Sequence, residues 1–131
     1  MAAGFDTVVL QVMHNDPGVG ELRLAYNFVG DAGSTALGKA LTTNSVLQKL
    51  SLANSQIEPK GAEELCKGVA HNRGLQVLTL YGNRLMDEGG TALGRMLLTN
   101  RTLTKLDLDD AGIGEFRARC MCYRAQRGPL T

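Results

Sequence analysis

The chain has 131 residues, with 14 Lys and Arg against 13 Asp and Glu and a formal charge of +1. That length suits one domain with a full core, and near-neutrality excludes a polycation held to nucleic acid or membrane by net charge alone. Positive charge nonetheless collects late, with four basic and seven acidic residues through Cys66 and ten basic and six acidic from Lys67 on.

Taken in order, the apolar positions repeat. Phe5, Val9 and Met13 stand four apart, as on one face of a helix. Leu22-Arg23-Leu24 then alternates with period two, which a strand with one buried face requires. A helix opening at Asp31 carries Leu37 and Leu41 and ends at Asn44. Leu50-Ser51-Leu52, a helix from Pro59 with Leu65 and Val69, and Asn72 repeat the unit. Leu78-Thr79-Leu80, a helix from Asp87 with Leu93 and Leu97, and Asn100 repeat it again, and Leu106-Asp107-Leu108 opens a fourth. From Leu22 to Leu50, Leu78 and Leu106 each step is 28 residues. Gly33, Gly61 and Gly89 keep the same step, as do Leu47, Leu75 and Leu103.

Each unit is therefore strand, turn, helix, turn. A carboxylate or proline at a helix start (Asp31, Pro59, Asp87) suits the dipole or the fixed proline angle. Asn44, Asn72 and Asn100 at the ends are expected to take a left-handed turn. One unit cannot cover its own apolar face, but stacked units bury a continuous ladder of Leu22, Leu24, Leu50, Leu52, Leu78, Leu80, Leu106 and Leu108, at about 1.5–3 kcal/mol per leucine. The expected architecture is α/β: a short right-handed βα horseshoe of about four parallel strands, concave on the strand side, with helices outside. Residues 1–116 form this solenoid, an N-terminal helix plus four strand units. Residues 117–131 form an irregular basic helix or tail, holding Met121 and Ala125 in the helical columns. It is either an irregular cap or, as favoured here, a segment that orders against a partner.

The pattern Leu75-x-x-Leu78-x-Leu80-x-x-Asn83-x-Leu85 with its following helix resembles the leucine-rich repeats of ribonuclease-inhibitor type, over about residues 5–116. The repeat asparagine is kept at Asn27 and Asn83 but replaced by Ser55 and Ala111, which puts turn bonding in the second and fourth units in question. The resemblance implies a protein-binding surface. Within that family some members are immune sensors, some are ciliary or cytoskeletal subunits, and one branch activates a small nuclear GTPase.

Residues flanking the buried leucines face the concave side in three columns: Glu21, Lys49, Val77 and Lys105; Arg23, Ser51, Thr79 and Asp107; Ala25, Ala53, Tyr81 and Asp109. Tyr81 is the one aromatic among them and reads either as an interface anchor or as a solvated tyrosine covering its neighbours. Asp107, Asp109 and Asp110 form either a receptor for a basic segment or a solvated acidic turn. Lys39, Lys67 and Arg95 stand two residues past core leucines, roughly 200° around the helix, in an outer basic row. That row suits phosphate or an acidic protein, or merely solubility.

No catalytic constellation emerges. The glycine-rich segments 17–20 and 30–33 lack the spacing and lysine of a nucleotide loop. His14 and His71 have no ligand-spaced Cys or carboxylate beside them. Cys120-x-Cys122 is a weak metal or redox signal, because Cys122 shares a small-residue column with Gly38, Cys66 and Gly94 where helices pack. No cofactor or metal is expected. Three cysteines without a pairing pattern suit a reducing compartment. The run Val8–Met13, broken by Gln11 and lacking a basic leader, does not fit a signal peptide, and no apolar stretch is long enough to span a bilayer. The expectation is an intracellular protein, cytoplasmic and in a cytoskeletal or ciliary assembly if the family habit holds. It would serve as a non-catalytic protein-binding scaffold subunit acting through the concave face. The alternatives are a GTPase-activating regulator and an RNA-associated subunit using the outer row.

Overall fold

The structure, a computed structural model, describes residues 3–113. Its elements alternate: α1 (Ala3–Met13), β1 (Glu21–Arg23), α2 (Gly30–Leu41), β2 (Lys49–Ser51), α3 (Pro59–His71), β3 (Val77–Thr79), α4 (Met86–Thr99) and β4 (Lys105–Asp107). The four strands form one parallel sheet in the order β1-β2-β3-β4. The expected α/β solenoid is thus the fold, with one strand and one helix per repeat. The proposed boundary near residue 116 and the segment 117–131, with Cys120 and Cys122, lie outside the described residues.

Sequence repetition becomes spatial register. Leu22, Leu50, Leu78 and Leu106 are successive Cα partners across the sheet. Leu50, Leu52, Leu78 and Leu80 are shut away from solvent, as are Leu37, Leu41, Leu65, Leu93 and Leu97 on the facing sides of the helices. The ladder loosens at one end, since Leu22 is 9 % exposed and Leu24 only partly buried. β1 has a strand on one side only, so its leucines lack half the cover that inner strands give one another.

Helices α2, α3 and α4 pack side by side, α2 against α3 through small residues. A β-carbon on Gly38 would collide with the Glu64 carbonyl, and one on Gly68 with the Gly38 carbonyl. The backbones therefore approach more closely than an alanine would permit. Cys66 is buried in the same layer.

The asparagines at the helix ends do something other than turn the chain. Asn72 and Asn100 are extended (φ −70°, ψ 141° and φ −67°, ψ 138°), which corrects the expectation of a left-handed turn there. Their side chains are buried and link repeats. Asn72 donates through Nδ2 to the Leu41 and Asn44 carbonyls, at 2.9 and 2.7 Å. Its Oδ1 accepts from the Gly74 and Leu75 N–H groups, at 2.9 and 2.7 Å. Asn100 does the same with Val69 and Asn72 upstream and with Thr102 and Leu103 downstream, and Asn44 reaches the Val12 carbonyl. Burial requires these partners, because an unmet backbone group in the core costs about 1–3 kcal/mol.

Left-handed residues occur instead just past the strands. Tyr26, Asn54, Gly82 and Asp110, one per repeat, have φ of 62°, 49°, 74° and 52°. In the same turns Asn83 takes the Ser55 and Ile57 N–H groups on Oδ1, both at 3.0 Å, and donates to the Leu52 and Leu80 carbonyls. Ser55, standing where an asparagine was expected, donates from Oγ to the Leu24 and Ala53 carbonyls. The second turn is therefore satisfied after all, by a shorter side chain.

Candidate protein-interaction surface

Two residue columns lie open on the strand layer. Cα register puts Glu21 beside Lys49, Lys49 beside Val77, and Val77 beside Lys105; it likewise aligns Arg23, Ser51, Thr79 and Asp107. Glu21, Arg23, Lys49 and Lys105 are exposed, while Ser51, Val77, Thr79 and Asp107 are half-buried among them. The period-two alternation fixes this, since each strand sends its leucine inward and its two flanking side chains outward. Together the first three strands line a shallow hollow of about 150 Å³, walled by Glu21, Arg23, Lys49, Ser51, Val77 and Thr79.

The third column is less regular. Ala25 is half-buried and Ala53 buried, whereas Tyr81 is exposed at 39 %. Tyr81 thus stands out from a floor of small residues on a backbone held by Asn54 N–H donating to its carbonyl at 2.8 Å. Asp109 is exposed, and its N–H donates to the Asp107 carboxylate at 3.1 Å.

Charge on this face is partly self-compensated. Arg23 Nε donates to Glu21 two residues away on the same strand. Among the described residues, neither Lys49 nor Lys105 takes part in an ion pair. Two lysine charges on a stiff parallel sheet therefore face solvent around small polar Ser51 and Thr79.

The outer row is also where the sequence puts it. Lys39, Lys67 and Arg95 are exposed on α2, α3 and α4. Lys67 is engaged, however, since its Nζ meets Glu64 at 3.1 Å while Lys60 reaches the same carboxylate at 3.6 Å. The hydrogen bond from Lys67 is the main reason that the Glu64 carboxyl is held below the usual glutamate range. Lys67 and Arg95 flank a groove of about 540 Å³ between α3 and α4, whose wall also includes Glu63 and His71. Acidic and basic groups are mixed there, which dilutes the field of the row.

One exposed feature escaped the sequence reading. Tyr26 and Phe28, in the turn between β1 and α2, are 75 % and 74 % exposed. Their repeat equivalents are Asn54, Gly82 and Asp110, and Gln56, Arg84 and Gly112. Aromatics in two otherwise polar or glycine columns were a readable signal. Among the described residues no cluster of His, Cys, Asp and Glu could hold a metal ion, and no helix is long and apolar enough to cross a membrane.

Comparison with known proteins agrees with this geometry. A family model described as Leucine Rich repeat matches residues 43–66 and 99–115. No curated protein matches. Among solved structures, the chain is similar to leiomodin-1 actin-binding site 2 at a TM-score of 0.79 and 23 % identity, over 94 % of this chain and 73 % of that one. It is also similar to the tropomodulin C-terminal domain of Caenorhabditis elegans, at a TM-score of 0.57 and 16 % identity over 94 % of each chain.

Proposed function

Because the chain is a leucine-rich-repeat protein with an open strand face, we propose that it is a non-catalytic protein-interaction module, a small scaffold subunit of a larger intracellular assembly. It binds through Arg23, Lys49, Ser51, Thr79, Tyr81, Lys105, Asp107 and Asp109. The observation that carries this reading is the pair of lysines, Lys49 on β2 and Lys105 on β4, without ion-pair partners on the two sides of β3, with Tyr81 exposed just past β3. Such a face suits an acidic segment with an apolar group for the shallow hollow, because aromatic anchors and unsatisfied charges on a rigid support need little ordering on binding.

The likeness to an actin-binding site of leiomodin-1 makes actin the first partner to test, and a cytoskeletal setting the corresponding location. Titration of labelled monomeric actin and co-sedimentation with filaments measure this directly. Binding that falls about tenfold in Tyr81→Ala and in Lys49→Glu, with unchanged circular dichroism, supports the strand face. Binding indifferent to both substitutions rules that face out, and no binding to either actin form removes actin while leaving the surface to be tried on proteins recovered from the native source. An RNA role through Lys39, Lys67 and Arg95 is the weaker reading, since Glu64 already neutralises Lys67.

A further inference from the structure

The turns that leave β1, β2 and β3 lie side by side at one rim of the sheet. Tyr26 N–H donates to the Ala53 carbonyl and Gly30 N–H to that of Ser55, both at 2.9 Å, while Asn54 N–H donates to Tyr81 at 2.8 Å and Arg84 N–H to Ile57 at 3.0 Å. Residues equivalent by the 28-residue step therefore stand in line across the repeats, Tyr26 beside Asn54, and Phe28 beside Gln56 and then Arg84. This rim holds a hollow of about 470 Å³, whose lining includes Asn54, Gln56, Glu58 and Arg84.

Two aromatic side chains begin this line, and the core does not enclose them. Tyr26 is 75 % exposed and Phe28 74 %. The other repeats put Asn54, Gly82 and Asp110 in the first column and Gln56, Arg84 and Gly112 in the second. Tyr26 also holds φ at 62°, a left-handed conformation that asparagine, aspartate and glycine reach at less cost than a bulky aromatic. Backbone strain of this kind, with no burial to offset it, collects at ligand-binding sites.

Charge marks the other end of the line. Arg84 and Glu58 are exposed, and among the described residues neither takes part in an ion pair. Asn54 and Gln56 stand between the aromatics and Arg84, and an amide side chain can both donate to and accept from a peptide backbone. A β-carbon on Gly82 would collide with the Asn54 amide, so glycine there gives that amide its place. Phe28 and Arg84 are two repeats apart in one column. Neighbouring repeats are about 4.8 Å apart at the sheet and about 8–10 Å apart at the helices, which sets these turn residues about 10–20 Å from each other. An extended chain covers that span in about three to six residues.

We propose that this turn edge is a second docking surface, and that its occupant is an extended segment of a partner protein carrying an apolar residue, best an aromatic one, with a carboxylate about three to six residues away. The apolar residue packs on Tyr26 and Phe28, where ring pairs add to the gain from burial. The carboxylate meets Arg84, whose guanidinium suits it in a two-pronged hydrogen bond. Asn54 and Gln56 bind the main chain between these two anchors. Glu58 keeps a second acid out of the middle of the segment by like-charge repulsion. The inference is independent of the strand-face reading and shares no residue with it.

Selection of a displayed library of random peptides on the full chain tests this, followed by fluorescence anisotropy with a labelled peptide of the enriched sequence. Enriched peptides are expected to pair an apolar residue with an Asp or Glu about three to six positions away. Tyr26→Asn and Phe28→Gln, which borrow the residue types of the next repeat, are each expected to weaken binding by about tenfold with unchanged circular dichroism. Arg84→Glu is expected to weaken it at least as much, and changing the peptide's carboxylate to lysine is expected to restore binding to that variant. A selection that enriches no peptide, or peptides with neither feature, overturns the proposal, as does an affinity indifferent to Phe28→Gln and Arg84→Glu. Binding lost in Tyr81→Ala and Lys49→Glu but kept in Phe28→Gln and Arg84→Glu also overturns it, by placing the peptide on the strand face.

Discussion

The side-chain amide of Asn72 donates to the carbonyl of Leu41, 2.9 Å away in the preceding repeat, from a position only 3 % exposed. The same amide serves four backbone groups on two repeats, and water cannot replace it. Asn72→Ala is expected to lower unfolding free energy by about 3 kcal/mol, because it strands several buried donors and acceptors at once. Urea denaturation measures this. A loss within about 0.5 kcal/mol, the range of a surface substitution, would show that the amide is not a tie between repeats.

A second prediction concerns Gly68, whose β-carbon would collide with the Gly38 carbonyl. The obstacle is backbone, which cannot swing aside as a side chain does. Gly68→Ala gains helix propensity of about 1 kcal/mol but forces α2 and α3 apart. Net destabilisation of about 1–3 kcal/mol is expected, against the stabilisation that propensity alone would give. The sign of the change in thermal midpoint decides between them.

Tyr26 offers the opposite case. It holds φ at 62° with its side chain mostly in solvent, so it carries left-handed strain without burial to offset it. Asparagine tolerates that conformation better than a bulky aromatic. Tyr26→Asn, the residue type that the next repeat uses at Asn54, is expected to stabilise the fold by about 0.5–1 kcal/mol. A destabilised variant would show instead that the ring packs against something that matters.

Glu64 gives a pH-dependent reading. Its carboxyl sits below the ordinary value, chiefly through the Lys67 hydrogen bond. A depressed carboxylate favours the folded state above its unfolded pKa and loses that contribution as pH falls through the folded one. The side chain is half-buried but its two lysine partners are exposed and screened by solvent, so the effect on stability is small and the titration itself is the better observable. Carbon-detected NMR is expected to place the Glu64 midpoint below the ordinary glutamate value. Lys67→Met should move its midpoint upward, and an unmoved midpoint would assign the shift to another cause.

Repeat length, strand and helix positions, and two of the three outward columns were legible in the sequence, because the leucine spacing and the 28-residue step obey rigid geometry; the third column departs at Ala53, which is buried. The asparagines were legible as positions but not as roles. Asn72 and an asparagine at a left-handed helix end look alike in one dimension, and only the packing of neighbouring helices brings Leu41 within reach of its amide. Ser55 differs from expectation for a related reason. Side-chain length alone does not reveal the close approach of the Leu24 and Ala53 carbonyls, which lets a hydroxyl replace an amide. At the candidate surface Lys49, Lys105 and Tyr81 were readable from alternation alone. The neutralising of Lys67 by Glu64 was also open to reading, as an i, i+3 pair on a helix. Tyr26 and Phe28 break their columns instead of keeping them, so the 28-residue pattern does not point to them.

Within each layer, among the described residues, helices and strands approach only those of the adjacent repeat: α1 meets α2, α2 meets α3 and α3 meets α4, as β1 meets β2, β2 meets β3 and β3 meets β4. Order at one end can therefore reach the other only by relay through every unit between. The middle repeats, tied on both sides by Asn72 and Asn83, should exchange their amide protons last, and fraying should advance inward one repeat at a time. A partner gripping a single strand would be felt most by the repeats beside it, so the molecule behaves less like a block than like a short stack of coupled leaves.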